Sequence, residues 1–349
     1  MENLPFVSIL MPIRNEADFI TRSLGPVLEQ NYPADRLEII VADGMSTDGT
    51  REIVKSQQTL HPNLRLIDNP GKIVPTGLNA ALAQARGDII VRVDGHTIIA
   101  PDYVRECVAE LQRSGADNVG GRMNAVSEGW IGQAVALATS SPFGVGGARF
   151  HYSEREEWVD TVYMGAWRGD VFKRIGLFDE ELVRNQDDEF NYRLLSQGGR
   201  ILLSPRIKSR YYNRSTLRSL CRQYFQYGYW KVRVLQKHPR QMQPRQFVPP
   251  TFVAVLSSSL LMAPFSIGGK RMFIAVAGSY TIANLAASII TARKADNGSK
   301  LLPLLPVTFA TLHLAYGLGF LIGLGRFCNR WKDSQVNRSM ARLKGAEQS

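Results

Sequence analysis

The sequence predicts an α/β domain built on a largely parallel sheet, followed by a helical membrane region. Three observations carry this. Up to about residue 95, short β-branched runs alternate with helical segments, the pattern of a parallel sheet covered by helices. In the last third, three stretches of membrane-spanning length contain no Asp, Glu, Lys or Arg. Before them lies a run that is rich in Lys and Arg and, after Glu189, has no acid until Asp296.

At 349 residues and 44% hydrophobic content, the chain holds one large domain, or a domain with an appendage, and is neither disordered nor fibrous. The net charge of +11 is local. Arg193, Arg206, Lys208, Arg210, Arg214, Arg218, Arg222, Lys231, Arg233, Lys237, Arg240 and Arg245 form a belt next to the apolar stretches. Those stretches, at 248–267, 272–292 and 301–324, each approach the ~20 residues that cross ~30 Å of hydrocarbon. The belt therefore reads as juxtamembrane cations on anionic headgroups, each worth about 1 kcal/mol. Membrane lipid is the expected partner, and a nucleic-acid groove is not expected. Cys107, Cys221 and Cys328 lack metal-site or disulfide spacing and are expected as reduced thiols. No basic n-region precedes the short apolar run 6–13, so no signal peptide is expected and the N-terminal domain is expected in the cytoplasm.

The elements follow in order. A strand at 6–11 leads through Pro12, Asn15 and Glu16 into a helix ending near Gln30. A strand at 38–42 ends at Asp43, and Ser46 or Thr47 is the expected cap of the next helix. A strand at 65–68, a helix at 75–85 and a strand at 88–93 follow, the last ending at Asp94. A helix at 102–113 and a strand at 118–123 precede the Gly-rich apolar stretch 129–147, which fits either a helix and loop grazing the membrane or a buried helix.

Polar clusters sit at the carboxyl ends of the strands, where open α/β sheets bind ligands. Asp43, in Asp43-Gly44-Met45-Ser46-Thr47-Asp48-Gly49-Thr50, can accept from a base N–H or a ribose hydroxyl; alone, the segment also fits a turn. Asp94 and His96 can hold Mg²⁺ or Mn²⁺ against diphosphate oxygens, His suiting Mn²⁺ better; His96 also fits a phosphate contact or a turn cap. Lys72 can reach a diphosphate and Asn79 can steady the loop, though both also fit a solvated Lys and a helix-start Asn. In Gln186-Asp187-Asp188-Glu189, a helix start places Asp187 off the face of Asp188, so that one carboxylate can take a proton from an attacking hydroxyl. The dipole of a helix start also favours such acids without any chemistry.

In this order and spacing the segments resemble the family 2 glycosyltransferases. Asp43 to Thr50 is similar to the family's Asp-Asp-Gly-Ser-Thr-Asp-Gly-Thr, with Gly44 where a second Asp often stands. Asp94-Gly95-His96 occupies the place of Asp-x-Asp, and Gln186-Asp187-Asp188-Glu189 with Arg193 resembles Glu-Asp-x-Asp/Glu-x-x-x-Arg. The resemblance implies a GT-A fold, the Rossmann-like mixed sheet of nucleotide-diphospho-sugar transferases, and a divalent cation, Mn²⁺ or Mg²⁺, as cofactor. It further implies that Pro12, Asn15, Glu16, Asp43, Lys72 and Asp94 contact the nucleotide-sugar, that Asp94 and His96 hold the metal, and that Asp187 is the base. Trp167, Arg168, Gln186, Asp188, Arg193, Gln223 and Trp230 are the implied donor-sugar or acceptor pocket. In the aromatic and basic segment 217–231, Gln226-Tyr227 replaces the Arg-Trp of processive synthases, so an interfacial helix is expected instead. The wording Asp-Gly-His-Thr, Ser-Pro-Phe-Gly-Val-Gly-Gly and Arg-Gln-Tyr-Phe-Gln-Tyr-Gly is most similar to the ExoA-type succinoglycan glucosyltransferases. That implies transfer of a hexose, glucose, from a UDP-sugar to a polyprenyl-diphosphate-linked oligosaccharide or a polysaccharide.

The expected organisation is a catalytic domain over 1–205, an interfacial segment over 206–247, about three membrane helices over 248–325 and a basic tail over 326–349. A multi-pass protein of the inner (cytoplasmic) membrane is expected. Three full spans would place Arg326, Arg330, Lys332, Arg338, Arg342 and Lys344 outside, against the positive-inside rule. One apolar stretch is then re-entrant or interfacial. The rivals are a polyprenyl-phosphate sugar synthase and a non-catalytic membrane protein that binds nucleotide-sugar, with Gly44, His96 and Gln186 as marks of decay.

Overall fold

A computed structural model describes residues 4–213, 215–295 and 297–331. It divides the chain into two compact units, one formed by the described residues up to Val126 with Ala148–Tyr212, the other by Ser127–Gly147 with those from Asn213 onward.

The first unit is a mixed sheet of nine strands: β1 (Val7–Ile13), β2 (Leu37–Asp43), β3 (Leu64–Asp68), β4 (Ile89–Arg92), β5 (Thr97–Ile99), β6 (Asn118–Val126), β7 (Glu157–Trp158), β8 (Tyr163–Arg168) and β9 (Ile201–Tyr212). Their order is β3-β2-β1-β4-β8-β6-β9-β5, with β7 on β9. The strands β3, β2, β1 and β4 are parallel, as expected. Beyond them β8 runs antiparallel to both β4 and β6, so the sheet is parallel only in part. The helices are α1 (Ala17–Leu28), α2 (Thr50–Gln58), α3 (Val74–Leu82) and α4 (Tyr103–Ser114), then, after two short helices of the second unit, α7 (Asp170–Ile175) and α8 (Gln186–Ser196).

Alternation along β1 separates two cores, because successive side chains leave a strand on opposite faces. Val7, Ile9, Met11 and Ile13 pack with Ile20, Leu24 and Val27 of α1 and Val104 and Val108 of α4. Leu10 packs with Leu78 of α3, Val171 of α7 and Phe190 and Leu194 of α8. Both β1 and β2 are buried throughout, as strands covered on two faces must be. The buried Glu38 is tolerated because Ser8 Oγ (2.6 Å), Arg86 N (2.7 Å) and Arg86 Nε (3.1 Å) donate to it. The helix after Asp43 begins at Thr50 with Gly49 as its cap, not at Ser46 or Thr47, because Ser46 is bonded to Asp43 instead. The boundary expected at residue 205 falls inside β9, which continues to Tyr212.

The second unit is helical: α5 (Gly129–Thr139), α6 (Pro142–Val145), α9 (Leu217–Lys237), α10 (Pro244–Met262), α11 (Ile267–Ala292), α12 (Gly298–Leu301) and α13 (Leu305–Arg326). The helices α9 and α13 lie against each other at the distance glycine permits. A Cβ at Gly228 would stand 2.0 Å from Tyr316 O, and one at Gly319 would stand 2.1 Å from Phe225 O. The stretch 129–147 combines both expectations, since Val135 and Ala138 are buried against Phe309 and Leu312 while Trp130 and Ile131 are exposed. Among the described residues two helices, α11 and α13, are long and apolar enough to cross a membrane, where three were expected. The first expected stretch, 248–267, is divided between α10 and α11 by a break at 263–266. The tail residues Lys332, Arg338, Arg342 and Lys344, and Arg214 of the belt, lie outside the described residues.

Candidate active site

Asp43 closes β2 and is fully buried, a costly place for a carboxylate without partners. It has three: Ser46 Oγ at 2.5 Å, Ser46 N at 3.0 Å and Arg51 Nη1 at 2.7 Å. The other arm of Arg51 donates to Asp68 at 2.7 Å, and these two bonds hold its guanidinium more firmly protonated. The loop after β1 is stitched over this turn. Asn15, which tolerates its left-handed φ of 53°, accepts from Thr47 N at 3.0 Å and donates its own N–H to Ser46 Oγ at 2.8 Å. Glu16 N donates to Thr50 Oγ1 at 2.9 Å, and Ala17 N to Asp48 at 3.0 Å. Pro12 is buried inside β1 opposite Ala42, so it shapes the edge from within. Lys72, with φ 62°, is exposed in the turn after β3 at the same sheet edge.

Asp94 lies two residues beyond β4. Arg92 grips it in a fork, Nε to Oδ1 at 2.7 Å and Nη2 to Oδ2 at 3.2 Å. Arg92 is 5% exposed, and its remaining nitrogen, Nη1, stands 3.9 Å from Asp187 Oδ2. Burial works against the guanidinium charge, but Asp94 and Asp187 outweigh it and raise the Arg92 pKa. Burial and then the Asp94 charge keep the nearby Tyr163 hydroxyl neutral, bonded to Thr97 Oγ1 at 2.5 Å. His96 Nδ1 is 3.4 Å from Glu16 Oε1, and its ring meets Tyr211 edge-on at 5.1 Å. Glu16 thus joins the loop over Asp43 to the loop holding Asp94.

Asp187 stands in the first turn of α8, accepting Asp188 N at Oδ1 (2.9 Å), with its side chain 37% exposed. The segment before it is anchored twice. Asn79 donates to Phe178 O (2.9 Å) and accepts from Phe178 N (3.0 Å), so this residue does steady a loop, but the one leading to α8. Arg193 donates to Ile175 O and Leu177 O, each at 2.7 Å, and forks onto the buried Glu189 at 2.7 and 2.9 Å.

Several pocket expectations need correction. Arg193 is committed to Glu189 and the backbone, and holds the fold. Trp167 is 1% exposed among Phe172, Phe178 and Phe190, so its ring packs the core and has no free face for a sugar. Arg168 pairs in register with Ile89 at the start of β4, the opposite sheet edge from Asp94, and binds Asp117 at 3.3 Å. Gln186 is buried and Asp188 half-buried beside Asp187. Gln223 and Trp230 belong to α9 in the second unit, where they bond Tyr227 (2.8 Å) and Gln226 (3.1 Å). Sequence reasoning missed Arg51 and Arg92. Arg92 left a signal, a lone charge inside the apolar run Ile89-Ile90-Val91-Arg92-Val93; Arg51 left none.

The arrangement places a buried carboxylate (Asp43), oxygen and nitrogen donors (Asp94, His96, Glu16) and a solvent-reaching carboxylate (Asp187) along the carboxyl edge of one sheet. Among the described residues no group of three or more His, Cys, Asp or Glu side chains is placed to hold a metal. The donors fit a divalent cation that takes one or two protein ligands and the rest from phosphate oxygens and water.

The glycosyl transferase family 2 model matches residues 8–175. The chain is 31% identical over 319 residues to the succinoglycan biosynthesis protein ExoA of Rhizobium meliloti (strain 1021), covering 89% of this chain and 93% of that protein. It is 30% identical over 240 residues to the dolichyl N-acetyl-alpha-D-glucosaminyl phosphate 3-beta-D-2,3-diacetamido-2,3-dideoxy-beta-D-glucuronosyltransferase of Methanococcus voltae, covering 66% of this chain and 74% of that protein. In fold it is similar to the mannosyltransferase PcManGT of Pyrobaculum calidifontis, solved with GDP-Man and Mn²⁺, at a TM-score of 0.58 and 21% identity over 92% of this chain and 88% of that one. These likenesses make the fold GT-A, the nucleotide-diphospho-sugar transferase architecture.

Proposed function

The chain belongs to glycosyl transferase family 2, and from that premise we propose that it is an inverting hexosyltransferase that moves glucose from a UDP-sugar to a lipid-linked oligosaccharide or polysaccharide. Its place would be cell-surface polysaccharide biosynthesis at the cytoplasmic membrane face. The likeness to ExoA across 93% of that protein supports polysaccharide biosynthesis, and the likeness to a dolichyl-linked transferase supports a lipid-linked acceptor. Asp43, buried beneath Ser46 and Arg51, shapes the nucleoside edge from within instead of accepting from the nucleoside directly, while Glu16, Asn15 and Lys72 line that edge. Asp94 and His96 would hold Mn²⁺ or Mg²⁺, which neutralises the leaving diphosphate when bound. Asp187 takes the proton of the attacking acceptor hydroxyl, and its partial exposure leaves room for that hydroxyl.

The observation that carries this reading is the single guanidinium shared by Asp94 and Asp187, at 2.7 and 3.9 Å, which brings two carboxylates of separate elements to one strand end and supports giving one to the donor and one to the acceptor. The apolar, largely exposed α11 supports membrane attachment, with the sheet unit in the cytoplasm. The test is Asp187→Asn in detergent-solubilised enzyme, assayed by nucleotide release from a panel of UDP- and GDP-sugars with Mn²⁺ or Mg²⁺. Transfer should fall by about 10²–10⁴-fold with UDP binding retained. Unchanged turnover removes Asp187 as base and with it this mechanism.

A further inference from the structure

Arg92 is a side chain in the sheet unit whose place the fold alone does not explain. Its neighbours, Ile89, Ile90 and Val91 in the strand and Val93 just beyond it, are buried and apolar, and an aliphatic residue would continue that pattern. Burying a guanidinium is expensive unless every arm is matched. Two of its nitrogens are matched by both oxygens of Asp94 at 2.7 and 3.2 Å, a fork that fixes the carboxylate's rotamer as a single point charge would not. The third nitrogen, Nη1, is buried without a hydrogen-bond partner and faces Asp187 Oδ2 across 3.9 Å, close enough for attraction and too far for a bond. The Asp187 carboxylate is held on its other oxygen by Asp188 N at 2.9 Å, so Oδ2 is the oxygen whose direction Arg92 biases.

We propose that Arg92 is a positioning residue for the transfer, a rigid two-headed clamp that orients the donor-side carboxylate of Asp94 and the acceptor-side carboxylate of Asp187 together. The inference rests on the roles given above to those two acids. Its consequence is geometric. A lysine keeps the charge at one point but cannot fork onto Asp94 and reach toward Asp187 at once, so both carboxylates lose their mutual registration. Misplacement of about 1 Å at a reacting centre costs about 10²-fold in rate. UDP binding without added metal, which draws on the loops around Asp43 and not on Asp94, is left nearly intact.

The experiment compares Arg92→Lys, Arg92→Ala and Asp187→Asn with the parent enzyme, reading kcat and KM for the donor, UDP affinity by calorimetry, and rescue of Arg92→Ala by added guanidinium chloride. For Arg92→Lys we expect kcat to fall about 10²-fold, with UDP affinity measured without added metal within about threefold of the parent. Guanidinium at millimolar concentration should restore at least a tenfold gain in kcat to Arg92→Ala and nothing to Asp187→Asn. Retained UDP binding certifies that each variant is folded. If Arg92→Lys does not bind UDP, Arg92→Gln is read in its place, with the same expected loss. A lysine variant with parental kcat, or an alanine variant that binds UDP but gains nothing from guanidinium, overturns the clamp. If instead Asp187→Asn keeps full turnover, it is the base assignment that fails.

Discussion

Nη1 of Arg51 lies 2.7 Å from Oδ2 of Asp43, so a carboxylate with no solvent exposure is neutralised from the first turns of the following helix. The same Arg51 holds Asp68 at the end of the next strand, tying two strand ends into one rim. Replacing Arg51 with Met leaves Asp43 buried with its charge uncompensated. The expected outcome is a lower melting temperature and UDP affinity weakened by about tenfold, an affinity loss of ~1.4 kcal/mol. Calorimetry and thermal unfolding with and without UDP check it, and parental affinity would mean that the rim built on Asp43 does not carry nucleoside binding.

Trp167 distinguishes a core role from a sugar-stacking one. Trp167→Leu fills part of the space between Phe172, Phe178 and Phe190 but offers no aromatic face. Stability should fall by about 2–4 kcal/mol while donor KM stays within twofold in the folded fraction. A selective rise in KM without loss of stability would return Trp167 to the pocket.

The buried Glu38 gives a pH signature. Burial raises its pKa, but bonds from Ser8 and Arg86 outweigh that and hold it below the usual carboxylate value of 4.5. A depressed native pKa means that the unfolded chain binds the proton more readily. The stabilisation is therefore complete above about pH 5 and is lost as pH falls through the native value. Glu38→Gln should unfold at lower temperature at pH 7 and lose part of the melting-temperature decline between about pH 5 and 3. An unchanged acid slope would show that Glu38 does not contribute to it.

Membrane attachment through apolar surface differs in its salt response from attachment through the basic belt. Phe265 is 90% exposed, Ile267 74% and Leu261 73%, and 11% of the apolar window of α11 is buried. At 1 M salt the Debye length falls to about 3 Å, which removes headgroup attraction. Membranes washed at that salt should retain the protein and detergent should release it. Release by salt alone would assign binding to the belt of α9 and leave α11 without lipid contact.

The parallel half of the sheet was legible because strands buried on both faces read as largely apolar, β-branched runs that end in turn-forming polar residues. Asp43, Asp94 and Asp187 were legible for the same reason: a turn or cap is where a short acidic residue interrupts an apolar pattern. The antiparallel β8 was not legible, since strand direction leaves no mark on local periodicity. Nor was the burial of Trp167, because a lone aromatic at a strand end has the same composition whether it packs inward or faces a ligand. The glycines of α9 and α13 read as features of separate helices and acquire their meaning only where Gly228 meets Tyr316 and Gly319 meets Phe225.

The sequence by itself determined the α/β class, the family, the apolar final third and which carboxylates end strands or start helices, because each is a property of neighbours along the chain. The tertiary structure alone decided which cations those carboxylates meet. Arg51 reaches back to Asp43 over a turn whose shape the residue types leave open, and Arg92 meets Asp187 across elements far apart in sequence, so no local pattern encodes the distances of 2.7 and 3.9 Å.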